Sequence, residues 1–404
     1  MFRKTISAAL ALSLVLGGGA LLPEGVIGAD SAIVAQAETY GDYEYYEIYE
    51  DESSVYIEKY NGNAATVNVP SSINGKTVKR IGGRAFEGCS RIKTVNIPGT
   101  IEEIEYNAFE NCISLEKVTM TNSVKKLGGE AFKNCTSLKS VKLSNQIEEI
   151  YRAFPDCKNI TSITIPEGVL RITSFEGSIT SGCDSLKTIT VPKSVIEIEN
   201  GALGGNGVVK CYKNSTAHKY VKENNVDYQL IDGTSIAKAK VTGLKAQTYT
   251  GSNVRPEPVV KLGGKTLKNG TDYYLTYKNN KAVGTATINI IGKREYTGKI
   301  TKTFSINPKT SKVSKLTSPK TKKLKVTYKK VSGVTGYEVT YSTSKKFTKK
   351  TTKTATVKGA AKTSKTISKL KKGKTYYVKV RAYKTVSGTK YYSAYSKYKK
   401  LKIK

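Results

Sequence analysis

The 404-residue sequence has no tryptophan, two methionines and one histidine. The single histidine bears most directly on function. A Ser-His-Asp or Cys-His site would have to be built around His218, yet the stretch Ala217-His218-Lys219-Tyr220 carries no nucleophile signature; it reads as the surface of a capping helix. Carboxylate pairs of the kind glycosidases use occur at Glu102-Glu103 and Glu148-Glu149, but they recur in register and alternate with lysine pairs, which is a structural pattern. Gly204-Gly205-Asn206-Gly207 lacks the phosphate-loop spacing. No catalytic residue, metal site or cofactor is expected. Beyond the N-terminal stretch no segment approaches the ~20 apolar residues a membrane helix needs, and no Arg-Gly-Asp tripeptide occurs.

At the N-terminus, Arg3 and Lys4 precede an apolar run from Ile6 to Leu22, and Ala35-Gln36-Ala37 offers a small-x-small cleavage site. Residues 1–37 therefore read as an export signal, leaving a mature chain from Glu38 outside the cytoplasm with no transmembrane segment. The far end, Leu401-Lys402-Ile403-Lys404, shows no sorting motif, so retention at a surface is expected to be noncovalent.

Acidic residues are scarce in one half of the chain. Residues 38–232 carry 22 Lys+Arg against 26 Asp+Glu, whereas residues 233–404 carry 43 against 4 (Glu257, Asp272, Glu295 and Glu338), a net of +39. The two halves need separate explanations.

The near-neutral half is an internal repeat. Blocks starting at Ile81, Ile104 and Leu127 have a 23-residue period, and a fourth from Ile150 is one residue shorter. They share the pattern AF-x-x-C-x-x-[LI]-x-x-[VI]-x-[ILMV]. A fifth from Ile172 carries an insertion and loses the Ala-Phe pair around Ile179 and Thr180, which predicts a bulge near Thr173 to Gly182; a sixth from Ile198 decays. One unit cannot bury its own apolar side chains, so the units must stack. Stacking places Phe86, Phe109, Phe132 and Phe154 in one column and turns segments such as Val95-Asn96-Ile97 into rungs of a parallel sheet. Glu103, Lys126, Glu149, Arg171 and Glu197 form an alternating column that disfavours slipped register. Cys89, Cys112, Cys135, Cys157 and Cys183 share one repeat position. Their Cβ vectors would not converge for bridging or for a tetrahedral metal, so they read as buried core thiols; Cys211 falls outside that column.

These residues resemble the BspA-like leucine-rich repeats of bacterial surfaces, with Tyr40–Arg80 and Val208–Asp232 as caps. The resemblance implies a surface or adhesive role. Residues 233–308, with turn signals at Gly263-Gly264, Asn269-Gly270 and Asn279-Asn280, resemble a bacterial immunoglobulin-like module. Residues 309–404 resemble a fibronectin type III domain: Tyr328 stands where that family places a core Trp, and Leu370 to Tyr376 matches its tyrosine corner, with Tyr376 expected to bond upstream backbone.

The expected fold class is thus β-rich and multidomain: a leucine-rich-repeat solenoid (parallel sheet, short helices and turns) over 38–232, then two antiparallel β-sandwiches. The expected ligand face is the solvent side of the parallel sheet, through Asn96, Thr119, Lys142, Thr164 and Thr190, flanked by Thr94, Lys117, Ser140, Ser162 and Thr188. It suits a host or neighbouring-cell surface protein or glycan. The basic tail, through Lys322, Lys323, Lys329, Lys330, Lys345, Lys346, Lys349, Lys350, Lys371 and Lys372, suits an anionic cell-wall polymer or polysaccharide. Lysine rather than arginine argues against specific nucleic-acid readout. Two other readings fit the same residues: a structural wall or matrix component, and the noncatalytic subunit of an extracellular carbohydrate-degrading assembly.

Overall fold

The computed structural model describes residues 37–49, 51–175 and 177–404; the expected export signal lies outside them, apart from Ala37. The described chain is mostly β and divides into two compact units, one ending at Ile231 and the other running from Asp232 to Lys404.

In the first unit each repeat makes one turn of a solenoid with two strand columns. One column contains Thr66–Asn68, Thr94–Ile97, Lys117–Met120 and Ser140–Val141, paired in parallel with Val67, Val95, Val118 and Val141 in line. It resumes with Ser162–Thr164, Thr188–Thr190 and Val208–Cys211, with Ile163, Ile189 and Val209 in line. Alternation puts these branched side chains inside and the polar residues outside, as a half-buried strand requires. The column is therefore two ladders and not one continuous sheet. Its break falls where the repeat shortens by one residue, and the strand there ends at Val141. Lys142, expected as a rung residue, lies just past that strand.

The alternating charged column is itself the second strand column, which the repeat pattern had not revealed as strand. Arg80 pairs with Glu103, Glu103 with Lys126, Glu149 with Arg171, and Arg171 with Glu197, all in parallel register. The Ala-Phe-x-x-Cys segment makes the third side. There the N–H of each Phe donates to the carbonyl of the Ala, or of its replacement, one repeat further on: Phe86 to Ala108 at 2.8 Å, Phe109 to Ala131 at 2.8 Å, Phe132 to Ala153 at 3.1 Å and Phe154 to Ile179 at 3.2 Å. The phenylalanine rings stack at centroid separations of 4.9, 5.4 and 5.6 Å from Phe86 to Phe154, and Tyr60 from the N-terminal cap extends the stack at 5.2 Å. Thr180 occupies the next position, buried, so the stack ends at Phe154.

A short helix, α1 (Thr216–Glu223), closes the C-terminal side. Ser215 caps it by accepting from the His218 N–H at 3.2 Å, and Ala217, Tyr220 and Val221 bury one helical face. His218 is not on the cap's surface as expected: it is buried, its Nδ1 accepts from the Asn214 N–H at 3.1 Å, and its ring packs on Tyr228. The turn before the helix needs that acceptor, which fixes the imidazole inside.

In the second unit, residues 240–307 form a three-stranded and a four-stranded sheet, and residues 313–402 a three-stranded and a five-stranded sheet, largely antiparallel. In the C-terminal module Tyr328 is buried against Tyr337 at 4.7 Å. The Tyr376 hydroxyl accepts from the Lys371 N–H at 3.2 Å, as the tyrosine-corner expectation requires.

Candidate functional site

The first strand column presents the expected polar face. Thr94 lies beside Lys117, and Lys117 beside Ser140; Asn96 lies beside Thr119; Ser162 and Thr164 lie beside Thr188 and Thr190. Lys117, Thr119, Ser140, Lys142, Ser162 and Thr164 are exposed, and Thr94, Asn96, Thr188 and Thr190 half-buried. The break between Ser140–Val141 and Ser162–Thr164 divides the set in two. An amide ladder begins at the N-terminal edge, where Asn96 Nδ2 donates to Asn68 Oδ1 at 2.7 Å. The face is a strip of hydroxyls, amides and lysines, suited to hydrogen-bonding a polar surface.

The second column presents ion pairs between turns: Lys125 with Glu102 at 2.7 Å and Arg171 with Glu149 at 2.9 Å. Lys139 pairs with Glu116 at 2.7 Å on another edge. Hydrogen bonds from Lys125, Lys139 and Arg171 hold the carboxyls of Glu102, Glu116 and Glu149 below the usual range. Every one of these carboxylates is engaged with a cation.

The cysteine column has a role that spacing alone did not show. From Cys112 onward each thiol donates to the carbonyl of the Phe one repeat earlier: Cys112 to Phe86 at 3.1 Å, Cys135 to Phe109 at 3.1 Å, Cys157 to Phe132 at 3.0 Å and Cys183 to Phe154 at 3.2 Å. No disulfide links these cysteines, and among the described residues no group of three or more His, Cys, Asp or Glu is placed to hold a metal ion. Burial pushes all four thiols up, Cys183 to about 12, so they stay protonated, and a protonated thiol is a poor nucleophile. Where Thr180 interrupts the phenylalanine stack, a cleft of about 520 Å³ opens, lined by Ser178, Thr180, Asn200, Asn206 and Tyr220 among others. It contains hydroxyls and amides and no charged side chain.

The ten tail lysines lie in turns and connecting segments between strands, and all but the half-buried Lys323 are exposed. Topology gathers most of them. The Leu370 N–H donates to the Lys322 carbonyl at 3.0 Å, joining the turns that carry Lys322, Lys323, Lys371 and Lys372. Ser342 pairs with Tyr377, so the loop with Lys345, Lys346, Lys349 and Lys350 leaves the sheet at that same end. Lys329 and Lys330 follow the opposite end of their strand, Leu324–Tyr328.

Sequence reasoning passed over the outer face of the five-stranded sheet. There Lys379 and Arg381 sit among the rings of Phe347, Tyr392 and Tyr395. The signal was available: Tyr392-Ser393 and Tyr395-Ser396 are the same pair three residues apart. Ser393 Oγ accepts from the Ala382 N–H at 2.9 Å and Ser396 Oγ from the Val380 N–H at 3.0 Å, which lays both tyrosines across the sheet.

Among the described residues no helix is long and apolar enough to cross a membrane. The model for a BspA type leucine rich repeat region matches in 6 copies over residues 60–180 and 152–225. The fibronectin type III domain model matches residues 308–397. No curated protein matches. Among solved structures, the chain is similar to a leucine rich repeat protein of T. pallidum, at 19% identity and TM-score 0.35, covering 43% of this chain and 86% of that one. It is similar to a leucine-rich repeat protein of Bacteroides ovatus at 25% identity and TM-score 0.32, covering 42% of this chain and 55% of that one. A leucine rich cell surface protein of Faecalibacterium prausnitzii shares 16% identity at TM-score 0.22, covering 45% of this chain and 96% of that one.

Proposed function

We propose that this chain, which carries a BspA type leucine rich repeat region and a fibronectin type III domain, is an exported, noncatalytic adhesion protein of a bacterial surface. Its repeat unit binds a protein or glycan through the polar strip from Thr94 to Thr190, and its basic unit retains it on an anionic wall polymer or polysaccharide without a covalent link.

The observation that carries this reading is the partition of charge: 22 Lys+Arg against 26 Asp+Glu from Glu38 to Asp232, and 43 against 4 from Gly233 to Lys404. A field of that size attracts polyanions and falls with ionic strength. The repeat unit has no comparable field and offers hydrogen-bonding groups instead. Its face lacks a buried aromatic anchor, so each copy contributes modest affinity and many copies supply avidity.

Cosedimentation with bacterial cell walls tests the division of labour, using the fragments Glu38–Asp232 and Gly233–Lys404 beside the full chain. The basic fragment should pellet at low salt and release by roughly 0.5 M NaCl, where screening is nearly complete over a few ångströms. If it stays in the supernatant throughout, retention by the tail is wrong. Triple substitution of Asn96, Thr119 and Lys142 by Glu should lower adhesion to target cells and leave wall retention unchanged. Unchanged adhesion would favour a structural matrix role.

A further inference from the structure

The outer face of the sheet formed by Gly336–Ser342 and Thr375–Val386 is built differently from an ordinary solvated sheet face. Glu338, Thr340 and Ser342 alternate outward on the first strand, yet all three are buried. Their cross-strand partners are Arg381, Lys379 and Tyr377. What covers them is a second layer of rings and cations. Arg381 donates to Glu338 at 2.6 and 2.9 Å and lies 3.8 Å from the Tyr392 ring centre. Lys379 Nζ sits 4.2 Å from the ring centres of both Phe347 and Tyr395.

Beyond Lys379, which lies over one of them, the layer ends in three rings, Phe347, Tyr398 and Tyr377. Phe347 and Tyr398 are 6.2 Å apart, and Tyr398 meets Tyr377 edge-on at 5.4 Å. Tyr398 is 39% exposed, and Phe347 and Tyr377 are half-buried. The trio lies at the lysine-gathering end of the module, since Phe347 shares its loop with Lys345, Lys346, Lys349 and Lys350. Glu338 is the only Asp or Glu in residues 309–404, and Arg381 already neutralises it.

Phe347 is held at φ 51°. A bulky side chain in the left-handed region is disfavoured, and such residues persist where surrounding structure imposes them, often at binding sites. Core packing does not call for this placement, because the ring lies on the outside of the sandwich. The Phe347 N–H donates to the Ser344 carbonyl at 3.1 Å, a turn that turns the ring onto the sheet.

We propose that Phe347, Tyr377 and Tyr398, with Lys379 and the lysines of the Phe347 loop, form a binding site for an acidic polysaccharide. The flat apolar faces of the rings pack on the C–H faces of sugar rings, and the lysines neutralise uronate carboxylates. Charge alone would serve any polyanion, including a phosphate polymer without rings; the aromatic trio selects the polymer that has ring faces to stack. The proposal rests on the polyanion-binding reading of the basic unit and names its ligand class and location.

The test uses the full mature chain in binding titrations with polygalacturonate, with linear polyphosphate as the ringless polyanion and dextran as the neutral polymer. The variants are Phe347→Gly, which removes a ring and suits the positive φ, and Tyr398→Ser at an exposed position; unchanged thermal melts establish that both remain folded. Wild type should bind polygalacturonate, not dextran, and each variant should weaken polygalacturonate binding about tenfold while polyphosphate binding changes less than about twofold. If the variants bind both polyanions like wild type, or lose both equally, the site is refuted and general polyanion binding stands. If wild type binds neither polyanion at low salt, the site and the retention reading both fall.

Discussion

At the scale of single residues, the cysteine and phenylalanine columns are one device. The thiol of one repeat satisfies the Phe carbonyl of the repeat before it, and the ring of that Phe stacks on its neighbours. Cys89, the first of the column, differs: it is half-buried and its contact to the Tyr60 carbonyl is 3.9 Å. Alkylation of the native protein at pH 8, followed by mass mapping, should modify Cys89 while Cys112, Cys135 and Cys157 react only after denaturation. Burial raises every thiol in the column, so access decides the difference. Truncating the stack should be costly. Phe109→Ala, at a ring buried between Phe86 and Phe132, should destabilise the repeat unit by about 3–5 kcal/mol in denaturant titrations. A cost under about 1 kcal/mol would mean that the stack is not the core's main contact.

At the scale of elements, the second strand column shows how charge sets register. Each exposed pair such as Lys125 with Glu102 contributes only about 0.2–1 kcal/mol, but slippage by one repeat would oppose like charges along the whole edge. Lys125→Glu should therefore lower the unfolding midpoint at low salt by the equivalent of about 1 kcal/mol or less, and 0.5 M NaCl should erase most of the difference. A penalty that is the same at both salt concentrations would point to lost packing. The pH dependence follows from the same pairs. Glu102, Glu116 and Glu149 have carboxyl pKa values lowered by their cationic partners, so the folded state binds their protons less readily than the unfolded chain. Their contribution is fully present above roughly pH 5 and is lost as pH falls through about 4 and below. Thermal melts of the repeat unit between pH 3 and 7 should show that loss on the acid side.

At the scale of the whole molecule, a near-neutral unit and a strongly basic one share one chain. Self-repulsion in a unit with net +39 opposes its compact state, and salt relieves it. Raising NaCl from about 0.05 to 0.5 M should raise the melting temperature of the Gly233–Lys404 fragment and leave Glu38–Asp232 unchanged or slightly lower, since there salt only weakens ion pairs. Equal responses would mean that the tail lysines are already neutralised by their own fold.

The period of the repeat, the phenylalanine column, the shared cysteine position, the alternating charges and the lysine-rich tail were legible in the sequence alone, because stacked identical units repeat their packing demands at fixed spacing. The tyrosine corner was legible for a similar reason: a local hydrogen bond ties Tyr376 to a residue five positions away. Only the tertiary structure decided that Glu103–Ile104 and its equivalents are strands, since two residues are too short for a period to be read. It alone placed His218 inside the cap, interrupted the polar strip after Val141, and joined the buried thiols from Cys112 to Cys183 to carbonyls one turn away. It also laid Phe347, Lys379, Tyr395 and Tyr398 side by side across the sheet. Those four come from three separate stretches of chain, and no spacing in a linear sequence reports a contact made by strands folding back on one another.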